Sequence, residues 1–74
     1  MMLVLNKGDT THHIPNVDLY KVISDEVIAV FVSGRHRAVG VKLDEWDALY
    51  LLHERVVTNN GNLEWLKEPN GQAR

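Results

Sequence analysis

The chain has 74 residues, a formal net charge of −2 and no cysteine. That length bounds it to one domain with one small core, and the missing cysteines exclude a disulfide framework or a thiolate metal site. The near-neutral balance argues against a dedicated duplex-DNA binder, which carries a strong basic excess.

The absence of cysteine favours a reducing, cytoplasmic setting. The longest apolar run is Val27 to Val32, far short of the roughly 20 residues that span a bilayer, so no membrane partner is expected. Met1 to Leu5 is apolar but lacks a basic leader and a small-residue cleavage site, so it does not read as a signal peptide. Charge is uneven: residues 1–43 carry five basic and four acidic side chains, and residues 44–74 carry three and six.

Met2 to Asn6 reads as a first strand, closed by a turn at Lys7-Gly8-Asp9. Thr10 to Asn16 is polar and contains Pro15, which has no backbone donor, and reads as a loop. Val17 to Ile23 alternates in its first part and reads as a half-buried strand, with Ser24-Asp25-Glu26 turning the chain. Val27 to Val32 is unbroken and β-branched, as in a strand buried on both faces. Ala38 to Leu43 alternates, and Ser33-Gly34-Arg35-His36-Arg37 lies between these two runs. Such a break marks a hairpin. With Gly34-Arg35 central to a type II′ turn, Val30 faces Val39 and Ile28 faces Val41; a three-residue loop would slip this pairing by one.

After Leu43 the apolar period shifts towards 3.6. Asp44 suits an N-cap, and Glu45 and Asp47 place negative charge in a first helical turn. Trp46, Leu49, Tyr50, His53, Val56 and Val57 then share one helix face, with Leu51 outward beside Ala48. Gly61 or a neighbouring Asn would end the helix. Leu63 to Glu68 reads as a final strand paired with Val56-Val57-Thr58 or as one helical turn. The expected fold is α+β: an antiparallel sheet of three or four strands with one main helix packed on one face, residues 1–68 forming the domain and 69–74 a frayed tail.

Chemistry is sparse. His12 and His13, with Asp9 nearby, have ligand residue types, but adjacent residues of an extended segment point apart and no H-x-x-x-H spacing exists, so no metal site is expected. Asp44, Glu45, Asp47 and Glu54 suit a solvated helix face better than an acid–base pair. His53 has no orienting Ser, Asp or Glu at a suitable spacing on its element. No glycine-rich phosphate loop is present. These absences point to a protein that is not an enzyme and needs no cofactor.

The candidate partner-binding residues are Arg35, His36 and Arg37 on the hairpin tip, Leu51 on the outward helix face, and Trp65, of a type favoured at interfaces. Leu51, exposed, would serve a homodimer or a partner surface.

Gly40 to Leu49, a strand running into a helix with an early Trp46, resembles the junction in the PC4-type transcriptional coactivators. That likeness implies a four-stranded sheet plus a helix, dimerisation and single-stranded DNA binding. In general character the chain also resembles the small phage-encoded regulators of host RNA polymerase. The expected function is a non-enzymatic, protein-binding regulator of transcription that occupies a surface of RNA polymerase or an associated factor. The alternative is a single-stranded nucleic-acid binder using the basic tip and aromatic stacking.

Overall fold

The computed structural model describes residues 1–53 and 63–69. Among them lie seven strands and one 3-10 turn: β1 (Met2–Lys7), β2 (Thr10–Ile14), β3 (Val17–Val22), β4 (Val27–Val32), β5 (Val39–Lys42), the turn Leu43–Glu45, β6 (Ala48–Leu52) and β7 (Leu63–Lys67). They form two antiparallel sheets, β2-β1-β6-β7 and β3-β4-β5. The expected α+β fold with a main helix is therefore overturned: the described chain is nearly all β.

The error lies in Asp44 to Leu52. A helical turn does form, but it is a 3-10 turn lasting only from Leu43 to Glu45, and Lys42, without a side-chain cap bond, holds the cap position expected of Asp44. Ala48–Leu52 is then the strand next to β1, pairing Leu51 with Leu3 and Leu49 with Leu5. Its apolar residues serve both sheet faces, and a short continuous apolar run has no period that separates strand from helix. Leu51, expected to be outward, is 0 % exposed, so the interface assigned to it has no basis. Val56, Val57 and Gly61 of the expected helix, and residues 70–74 of the expected tail, lie outside the described residues.

Thr10 to Ile14, expected to be a loop, is an edge strand in one-to-one register with β1. Its polarity reflects exposure, and threonine's branched Cβ favours the pleated conformation. Gly8, at a φ of +59°, occupies the first central position of the two-residue turn that closes this hairpin; glycine takes that conformation without steric cost.

The β4–β5 hairpin has the expected register, Val30 opposite Val39 and Ile28 opposite Val41. Its turn differs. The Arg35 N–H donates to the Val32 carbonyl at 3.1 Å, so Gly34, with a φ of +83°, is the third residue of the turn and not the first central one of a type II′ pair. β7 pairs with β6; its expected partner 56–58 lies outside the described residues.

One core fills the space between the sheets. Leu3, Leu5, Leu49, Leu51 and Leu66 from the four-stranded sheet meet Val17, Ile28, Val30, Val41 and Leu43. The chain changes sheets at Pro15-Asn16, where Asn16 adopts a φ of +60° and its carbonyl accepts the Ser33 N–H at 2.8 Å. It returns through the 3-10 turn, which Lys67 Nζ holds by donating to the carbonyls of Leu43, at 2.8 Å, and Trp46.

Candidate functional site

The two sheets leave two long sides, one between the edge strands β3 and β7 and the other between β2 and β5. On the first, the Tyr20 hydroxyl donates to Glu64 Oε2 at 2.6 Å, and Glu64 Oε1 lies 3.3 Å from His53 Nε2. Tyr20 faces inward because its partner is the core residue Val30. The Tyr20–Glu64 bond thus ties the two sheets together, and His53, at the end of β6, meets the same carboxylate from within the four-stranded sheet. The bond to Glu64, burial and the carboxylate's charge, in that order, raise the Tyr20 pKa. The hydroxyl is held in its protonated, weakly nucleophilic form, so this arrangement works as a tie more than as a reactive centre.

The second side is open. Between β2 and β5 a groove of about 290 Å³ has Leu5, Ile14, Val39 and Val41 as its apolar floor and Lys42, Glu45 and Trp46 at one end. Beyond it a further hollow of about 480 Å³ is lined by Ile14, Pro15, Val39 and Arg35 among others. Ile14 and Val39 line both, so the two hollows adjoin along the flank. The rings of His12 and Trp46 meet edge to face at 5.2 Å along it.

Alternation explains this lining. Thr10, His12 and Ile14 pair with Lys7, Leu5 and Leu3, sharing the face of the buried Leu5 and Leu3, whereas Thr11 and His13 alternate with them, His13 still bordering the groove. His12 and His13 therefore diverge, and among the described residues no three His, Cys, Asp or Glu side chains converge as metal ligands would. Of the acidic residues considered for catalysis, Asp44 and Glu45 are exposed, and Asp47 Oδ2 accepts the Gly8 N–H at 2.7 Å. Glu54 is outside the described residues.

Arg35, His36 and Arg37 are all exposed on the hairpin tip, and Arg35 reaches the groove. Leu51 belongs to the core. Trp65 lies on the outer face of the four-stranded sheet, half-buried against Tyr50 with ring centroids 5.0 Å apart. Only Arg35 of the five expected partner-binding residues lines the groove. The groove itself was hidden in the sequence because β2 reads there as a loop. Its one usable signal was the threonine pair preceding His12. The Tyr20–Glu64 tie joins residues 44 apart in sequence, which no local pattern reveals.

Among the described residues no helix is long and apolar enough to cross a membrane. No family model matches the chain, and neither a curated protein nor a solved structure matches it.

Proposed function

We propose that the chain is a non-enzymatic protein-binding module of the cytoplasm, a small regulator that captures a segment of a partner, RNA polymerase or an associated factor, along the β2–β5 side. One observation carries this reading: the side is open, floored by Leu5, Ile14, Val39 and Val41, and rimmed by the cation Arg35. An apolar depression with a few polar groups at its ends suits a segment that buries side chains and fixes its direction by charge. The opposite side, where residues with acid–base chemistry do meet, is occupied by its own Tyr20–Glu64–His53 contacts. The nucleic-acid alternative has less support. Trp46 is the groove's one Trp, Tyr or Phe, and Trp65 and Tyr50 pack on each other on a different face.

The test is a photo-crosslinking amino acid placed at Glu45, on the groove, and separately at Leu19, on the outer face of the three-stranded sheet, each in a bacterial lysate. The expected result is an adduct from position 45 alone that contains an RNA polymerase subunit or associated factor and survives nuclease. An adduct that nuclease removes would promote the nucleic-acid reading. No adduct from position 45, or one with a protein outside transcription, would overturn the proposal.

A further inference from the structure

Among the described residues the two sheets present four edge strands, β2, β7, β3 and β5, and three carry features that discourage another strand from adding. β3 slips register between Val17 and Leu19 and bears Asp18 and Lys21. β7 slips opposite Leu49 and Tyr50 and bears Glu64 and Lys67. β5 is four residues long and ends in Lys42. Bulges, charges and shortness are the usual protections of a sheet edge. β2 has none of them: Thr10-Thr11-His12-His13-Ile14 pairs without a slip and contains no proline and no Asp, Glu, Lys or Arg.

Its free backbone groups can be assigned. Met1 and Val17 exchange both backbone hydrogen bonds, at 2.7 and 3.2 Å, and the Asn6 carbonyl accepts from Asp47, next to β6. Odd residues of β1 therefore bond towards β2 and even ones towards β6, in the alternation of an antiparallel ladder. The pairs Lys7–Thr10, Leu5–His12 and Leu3–Ile14 are the bonded ones. The N–H and C=O groups of Thr11 and His13 turn outward, spaced as an incoming strand requires. Alternating donors and acceptors are matched by another peptide backbone, whereas a phosphodiester chain offers no donor to answer the carbonyls.

We infer that the edge of β2 takes an extended peptide of the partner as an added antiparallel strand, its alternate small apolar side chains entering the groove and a carboxylate near its N-terminal end meeting Arg35. This rests on the protein-binding reading above and adds the occupant's chemistry and how it is held. The polarity follows from the rim. β2 runs from the Trp46 end of the depression towards Arg35, so an antiparallel guest has its N-terminal half at Arg35. Among the described residues none lining that end carries a carboxylate, whereas Glu45 already accompanies Lys42 at the other.

The probe is a labelled, capped octapeptide with two N-terminal glutamates followed by alternating threonine and valine, measured by fluorescence anisotropy. Two derivatives accompany it, N-methylated on the threonines or on the valines. The threonine amides would pair with Thr11 and His13, and the valine amides would point away. The expected result is sub-millimolar binding that falls at least about tenfold with methylated threonines and changes little with methylated valines. Moving the glutamates to the C-terminal end should weaken it several-fold. Thr11→Pro, which removes an outward N–H without touching the β1 ladder, should match the methylated-threonine loss; the peptide series keeps the test valid if that variant does not fold. Equal losses from both methylated peptides, or no binding up to about 1 mM, would overturn the inference. So would a dimer of the unaltered protein that Thr11→Pro dissociates, since a second copy would then own the edge. A groove-specific crosslink to RNA polymerase together with failed peptides would leave the protein-binding reading standing and remove only strand addition.

Discussion

The β3–β7 and β2–β5 sides of the molecule are built from the same materials, two edge strands over one core, and are finished in opposite ways. On the first, Tyr20 reaches across the gap to Glu64, which His53 also approaches from its own sheet, and both edges are broken by register slips. On the second, the edge of β2 is regular, and Ile14 and Val39 stay partly exposed above the buried Leu5 and Val41. A surface kept for a partner has to withhold such contacts from its own chain, and this contrast is what supports the proposal that the β2–β5 side binds a partner.

Three substitutions test how the tied side is held. Leu66→Ala should have the largest effect, about 3 kcal/mol of stability in urea unfolding, because the side chain is fully buried in the shared core. A loss below about 1 kcal/mol would mean that the floor under β7 collapses readily and the two sides differ less than the geometry implies. Lys67→Met keeps the packed stem and removes the ammonium that serves the Leu43 and Trp46 carbonyls. It should cost about 2 kcal/mol, the scale of losing charged hydrogen bonds to partly buried acceptors. Tyr20→Phe should cost least, about 0.5 kcal/mol, because its bond to Glu64 is solvent-exposed.

The Tyr20 substitution also carries a pH signature. The folded-state pKa of Tyr20 is raised above the ordinary 10.0, so the contribution of the bond is whole below that value. It is lost as pH rises through the folded pKa, when the phenolate would face the Glu64 carboxylate. Stability measured from pH 8 to 11 should therefore decline more steeply in the unaltered protein than in Tyr20→Phe, and parallel curves would show that the tie contributes nothing.

Much of the three-stranded sheet was legible in the sequence. Val39 and Val41 alternate with Gly40 and Lys42, and Gly34 marks the turn, so local pattern alone led to the observed pairing. The four-stranded sheet was less accessible. Leu49 and Leu51 face the core while Tyr50 faces the other way against Trp65, and a run with apolar residues on both faces looks the same to strand and helix periodicity. The acidic residues ahead of it added a misleading cue, a true helical start that stops after one turn. β2 failed for the converse reason. Its outward threonine and histidine side chains leave little hydrophobic signal, and its strand character comes from its register with β1. Since the groove depends on β2, the candidate site was lost with it, and only Arg35 could be placed from sequence.

The pairing of β1 with β6 also sets a schedule for the chain as it is made. The hairpins β1–β2, β3–β4 and β4–β5 join near neighbours and can close on a timescale of about 1–10 μs. The ladder that sets Leu3 against Leu51 and Leu5 against Leu49 must wait for nearly the whole described chain. Long-range pairings of this kind slow folding towards the millisecond-to-second range. On the ribosome, Leu3, Val4 and Leu5 emerge well before Leu51, Tyr50 and Leu49, their partners across that ladder. For that interval the apolar centre of β1 is a temporary liability, protected on one edge only by the polar strand that follows it.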